Sequence, residues 1–107
     1  MAYKYKSKEI INGKHVFGTS FQISVWKQIS IIPAGQTVTY SEIAKSIGKS
    51  KSFRAVANAC GKNPFPIIIP CHRVVRTDGG LGGYSGNGGI ETKIALLESE
   101  KLLKKAK

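Results

Sequence analysis

Residues 37–64, TVTYSEIAKSIGKSKSFRAVANACGKNP, decide the fold. Thr39 or Ser41 can cap a short helix carrying Ile43, Ala44 and Ile47, and Gly48 stops it. After a polar turn, Ser50 or Ser52 opens a second helix with Phe53, Val56, Ala57 and Cys60, ended by Gly61 and Pro64. Two short helices across a Gly-containing turn, the second one basic, predict a helix-turn-helix over about residues 40–61. The second helix is slim, with Ala55, Ala57, Asn58 and Ala59. Small residues let a helix backbone approach closely to whatever it touches, a neighbouring helix as readily as a ligand.

Upstream, Phe21, Val25, Trp26 and Ile29 fall at helical spacing, with Thr19 or Ser20 to cap and Pro33 beyond the end. That stripe is core. Before it, Tyr3, Tyr5, Ile10, Ile11, Val16 and Phe17 alternate loosely around Asn12-Gly13, the signature of a tight turn. Residues 1–18 therefore read as a hairpin or an irregular extension, and 19–107 as the main domain.

Downstream, FPIIIP at 65–70 is an apolar run hemmed by prolines and reads as a short buried strand or extended segment. Residues 79–89 hold seven of the chain's twelve glycines, a loop shaped to lie against a ligand or else floppy. The chain ends in a helix with Ile90, Ile94, Leu97 and Leu102 spaced for one face, Glu91 near its start and lysines crowding its end.

The chain's 107 residues make one domain, 41% hydrophobic and 21% charged, an ordinary globular mix. The longest apolar run, Phe65 to Cys71, is too short to span a bilayer, and MAYKYKSKEI has no signal-peptide core. Two cysteines, Cys60 and Cys71, make neither a disulfide framework nor a zinc pattern, so a reducing, cytoplasmic setting is expected. Cys60, Cys71, His72 and His15 fit no common zinc spacing, and no metal is expected. The formal charge is +11, and residues 1–62 carry ten basic side chains against two acidic ones. Such an excess points to an anionic partner: nucleic acid, a phosphorylated ligand or a membrane surface.

Cys71 is the chemically pointed residue. A thiolate is a strong soft nucleophile, favoured by a nearby base or positive charge, and His72 and Arg73 follow at once. In an extended segment adjacent side chains point to opposite faces. A direct Cys71 to His72 contact then needs a bend at Pro70, or a water relay. An inert buried cysteine beside a structural histidine stays open on these four residues alone.

Ile69-Pro70-Cys71-His72-Arg73-Val74, preceded by Arg54-Ala55-Val56 and Asn63-Pro64 and followed by Gly83-Tyr84-Ser85-Gly86, resembles the catalytic domain of O6-alkylguanine-DNA alkyltransferases. These are also called methylated-DNA–protein-cysteine methyltransferases, and the likeness runs from about Gly18 to Leu103. The resemblance implies a mainly α fold, a winged-helix-like, helix-turn-helix DNA-binding domain with short β elements. It implies docking of the slim helix (Ala55, Ala57, Ala59, with Asn58) on duplex DNA through the minor groove. Arg54 would fill the space of a flipped nucleotide, and Tyr40 would crowd the adjacent phosphate. Cys71 would take the alkyl group from O6 of guanine, with His72 as base through a water and Glu100 orienting His72. Glu100 lies seven residues after Lys93, where the family's last helix places its glutamate, and Glu98 is the alternative. Tyr40 would donate to the departing guanine. Backbone around Cys71, Val74 and Ser85 would read the base edge, Tyr84 and Pro66 would line the pocket, and Asn63 would tie the turn beneath the cysteine. The thioether has no good leaving group, so each molecule would act once, as a monomer, with no cofactor beyond the damaged duplex itself.

Three departures mark this chain. Longer members carry an additional N-terminal domain, so this is a minimal version or a fragment. Tyr84 to Lys93 is two residues longer than usual, the extra length falling in Gly86-Asn87-Gly88-Gly89. Phe53 stands before Arg54 where a small residue is common. The alternatives are a non-catalytic alkyltransferase-like lesion binder, a helix-turn-helix regulator and a Cys-His hydrolase. Cys71 argues against the first of these, whose members carry Trp or Ala there.

Overall fold

The computed structural model describes residues 6–78, 80 and 88–106, with side chains for 7–78, 80 and 88–101. The chain opens with β1 (Lys6–Ile11) and β2 (Lys14–Thr19), an antiparallel hairpin in which Ile11 faces Lys14. Its turn is Asn12-Gly13, both at positive φ (50° and 81°), the geometry that a twisted two-residue hairpin loop demands. The hairpin is no loose extension: Ile11 and Val16 belong to the same buried cluster as the helices. Gly18 lets it settle there, since a Cβ at that position would meet the Trp26 ring at 2.9 Å.

Helix α1 (Ser20–Ser30) starts on a capping box. Thr19 Oγ1 accepts from the Gln22 backbone N–H, and Gln22 Oε1 accepts from the Thr19 N–H. It buries Ile23, Val25, Trp26 and Ile29, while Phe21 packs at the edge of the core. After β3 (Val38–Thr39) comes α2 (Tyr40–Ser46), on a second box in which Thr39 and Glu42 exchange the same two bonds. Helix α3 (Phe53–Gly61) completes the helix-turn-helix and packs on α1 and α2. Ser52 holds its N-cap position without a side-chain bond, because its backbone (φ −99°, ψ 28°) lies outside the extended region that aims a cap. Strand β4 (Val74–Val75) pairs in parallel with β3, and α4 (Gly89–Ala106) closes the fold. The architecture is the mainly α, helix-turn-helix domain with short β elements that the sequence predicts.

Three expectations are corrected. The 65–70 run is a turn bridged between Pro66 and Ile69, and it exposes Ile67 (56%) and Ile68 (40%). With Ile67 at φ 79° the chain reverses instead of running straight, so of the three isoleucines only Ile69 reaches the core. The inward face of α4 is not the Ile90/Ile94 stripe, both of which are exposed; among the described side chains of α4, the fully buried one is Lys93. On α3, Ala55 is exposed, Ala57 half-buried and Ala59 buried, its carbonyl accepting from the Trp26 indole N–H at 2.9 Å. Ala59 is therefore slim for the sake of α1, not of a ligand.

Candidate active site

The site is built on a 3-10 turn, Cys71–Arg73, immediately before β4. Pro70 (φ −78°, ψ 66°) bends the chain into it, and the Arg73 N–H donates to the Pro70 carbonyl at 2.9 Å. Side chains of such a turn step by about 120° instead of alternating. That removes the extended-chain objection to neighbouring roles for Cys71 and His72, both of which are buried.

Glu100 faces this turn from α4. Its carboxylate lies 2.8 Å from His72 Nε2 and accepts three bonds from Arg73, two from Nε (3.0 and 3.2 Å) and one from Nη2 (2.7 Å). Arg73 Nη1 also donates to the Ile32 carbonyl at 2.7 Å, which anchors the group to the end of α1. Glu98 is exposed, so Glu100 is the carboxylate that meets His72. Burial would raise the Glu100 pKa, but the hydrogen bonds and charges of Arg73 and His72 outweigh it and hold the carboxyl down to about 2. With Nε2–H donated to a carboxylate, His72 Nδ1 is left as the basic nitrogen. It is buried and bonds to none of the described residues.

The β3–β4 ladder, with Val38 opposite Val74 and Thr39 opposite Val75, brings Tyr40 beside the turn. Burial, reinforced by the nearby sulfurs of Cys60 and Cys71, pushes the Tyr40 hydroxyl up to about 12, so it keeps its proton as a donor. Cys60 is likewise pushed to about 12, by burial and then by Cys71, which makes it an inert thiol at neutral pH. Lys93 enters from α4 and donates to the Val74 carbonyl at 2.7 Å. Burial lowers its pKa, and the two cysteines pull back the other way.

Beneath the nucleophile, Asn63 is buried and braces the reversed loop. Its Nδ2 donates to the Ile69 carbonyl (2.7 Å) and its Oδ1 accepts from the Phe65 N–H (3.0 Å). Asn12, at the hairpin turn, donates to the Ile68 carbonyl at 2.9 Å. Pro66 is half-buried in this loop, and Val74 is buried with its carbonyl engaged by Lys93. Arg54, Ala55 and Asn58 lie elsewhere, on the exposed face of α3 with Lys49, Lys51 and Lys62 around them. Tyr84 and Ser85 fall outside the described residues.

Sequence reasoning missed Arg73 as the clamp on Glu100, Lys93 as a buried cation beside the sulfurs, and Asn12 as a brace. A signal existed for Lys93: it stands two helical turns before Glu100, hence on the same face. Among the described residues, no cluster of His, Cys, Asp and Glu is placed to hold a metal ion, and no helix is long and apolar enough to cross a membrane.

As a class, this is a helix-turn-helix domain with a cysteine and histidine on one turn and a glutamate of its last helix facing them. The chain belongs to the 6-O-methylguanine DNA methyltransferase family, whose DNA-binding domain matches residues 20–102. A probable methylated-DNA–protein-cysteine methyltransferase of Acanthamoeba polyphaga mimivirus is 58% identical over 78% of this chain and 54% of its own length. The bifunctional transcriptional activator and DNA repair enzyme Ada of Escherichia coli is 53% identical, over 78% of this chain and 23% of Ada. Mycobacterium tuberculosis OGT, solved in complex with DNA, superposes with a TM-score of 0.76 at 53% identity, covering 79% of this chain and 51% of that one. Schizosaccharomyces pombe Atl1, solved with damaged DNA containing O6-carboxymethylguanine, superposes at 0.61 with 29% identity, over 75% and 74% of the two chains. The chain spans about half the length of the mimivirus relative and a quarter of Ada.

Proposed function

We propose that the protein repairs DNA by direct reversal, moving an alkyl group, methyl foremost, from O6 of guanine to its own Cys71. The observation that carries this is the gathering of Cys71, His72 and Glu100 on one turn and one helix face, with Tyr40 beside them. The thiol proton passes to His72 Nδ1 through a water, and Glu100 stabilises the imidazolium that results. The Cys71 sulfur attacks the alkyl carbon in line, the S–C bond forms as the C–O6 bond breaks, and the electron pair leaves on guanine. Tyr40 donates a hydrogen bond to a guanine ring nitrogen, and the proton that His72 took from the thiol returns through water to the expelled guanine anion, so both the base and the imidazole finish neutral. The product is a thioether, so each molecule reacts once.

The DNA partner on this reading is a duplex carrying O6-alkylguanine. Arg54 takes the flipped nucleotide's place, Ala55 and Asn58 lie along the minor groove, and the other exposed cations of α3 and its flanks contact phosphates. Residues 19–107 form the catalytic unit, with Val74, Pro66, Tyr84 and Ser85 around the base and Asn63 beneath the sulfur. The protein works as a cytoplasmic monomer and needs no cofactor.

The test is intact mass after incubation with an O6-methylguanine duplex. One added methyl group is expected, on Cys71 by peptide map, and Cys71→Ser should gain none. An adduct on Cys60 would overturn the assignment, and tight DNA binding without any mass gain would leave a lesion binder of the Atl1 kind.

A further inference from the structure

Phe53 opens α3 as a residue 45% exposed, one position before Arg54. With Tyr40, Arg76, Thr77 and Asp78 it lines an open cavity of about 200 Å³. That is below the roughly 300 Å³ at which sites for whole small ligands begin, so the cavity suits one part of a larger molecule. Its chemistry is two aromatic rings and a guanidinium. The guanidinium is held in place: Arg76 Nη2 donates to Asp78 Oδ2 at 2.6 Å, and Asp78 Oδ1 accepts from the Gly80 N–H. The Arg76 N–H closes the same loop onto the Gly80 carbonyl, and the Ser41 and Thr77 hydroxyls, 2.8 Å apart, pin it to α2. Tyr40 is shared: it lines this cavity, and the β3–β4 ladder holds it beside the Cys71 turn. The cavity and the nucleophile's turn therefore have one side chain in common.

Taking its substrate from the alkyl-transfer reading, we propose that this cavity is a second nucleotide subsite, in which the nucleotide next to the flipped guanine stacks its base on Phe53 and sets its phosphate against Arg76. Stacking on a ring face suits any base, which fits a protein that must meet lesions in every sequence context. A planar guanidinium suits phosphate oxygens, and most of its donors stay available while Asp78 orients it.

The experiment uses duplexes with an abasic position and 2-aminopurine on one side of it or the other. The wild-type protein should quench the fluorophore in one of the two. Phe53→Ala and the bulk-preserving Phe53→Leu should lose the quenching and bind about tenfold more weakly, and Phe53→Trp should restore both. Arg76→Gln should flatten the log–log salt dependence of binding by about 0.9. In parallel, the ratio of transfer from an O6-methylguanine duplex to transfer from free O6-benzylguanine should fall about tenfold in Phe53→Ala. Undiminished quenching in Phe53→Ala or Phe53→Leu overturns the proposal, as does an unmoved ratio, which would make Phe53 part of the guanine pocket itself. Should the wild type accept no alkyl group from either donor, the repair reading fails, while the quenching comparison still decides the subsite.

Discussion

The exposed face of α3 and the turn at Cys71–Arg73 use charge in opposite ways. On the outer side, Arg54, Lys49, Lys51 and Lys62 are exposed and form no salt bridge among the described residues. At the turn, a single carboxylate, Glu100 of α4, serves both His72 and Arg73, and Arg73 ties the set to the backbone of Ile32. Unpaired charge gives reach and affinity for an anion while fixing little geometry. Paired charge at the turn fixes geometry, and with it the orientation a base needs before any substrate arrives.

That contrast is most severely tested by His72→Ala, which should slow alkyl transfer by about 10²–10⁴-fold while duplex affinity holds. Transfer is read by single-turnover mass spectrometry and affinity by fluorescence anisotropy. If both fall together, the inner cluster is merely structural. Glu100→Gln comes next, with transfer lowered by roughly tenfold or more and a changed acid profile. The Glu100 carboxyl sits at about 2 in the folded chain against an ordinary 4.5. Its stabilising contribution is therefore complete above pH 4.5 and drains away as the pH falls towards 2. Denaturant titrations across that window should show the wild type losing stability more steeply than Glu100→Gln.

Arg54→Ala sharpens the other half of the comparison. It should weaken duplex binding and reduce the salt slope by about 0.9, with little change in melting temperature. Gly18→Ala, remote from both faces, should cost about 1–3 kcal/mol by driving a methyl group into the Trp26 ring. Cys60→Ala should matter least to the chemistry, leaving one adduct per chain on Cys71, because Cys60 is a buried thiol held near 12.

Much of this was legible from local sequence. Asn12-Gly13 forces a hairpin, Thr19 and Thr39 each stand three residues before a Gln or Glu that completes a capping box, and Gly48 at φ 75° ends the first helix of the pair. The failures share one cause. FPIIIP looks like a strand by composition, yet its turn is imposed from outside by Asn63 and Asn12, which hold three of its backbone groups. Leucines and isoleucines mark a face of α4, but the face that turns inward is the one whose Lys93 and Glu100 find partners on the 71–74 segment. Hydrophobic periodicity cannot see a buried polar contact. Glu100 was legible only through family likeness, since nothing local joins residues 28 positions apart.

Trp26 is the chain's single tryptophan, and its indole donates to the carbonyl of Ala59 on the buried side of α3. The molecule thus carries an intrinsic optical gauge. Any displacement of α3 against α1 must disturb that hydrogen bond, and the emission of one fluorophore will register it without a label being attached.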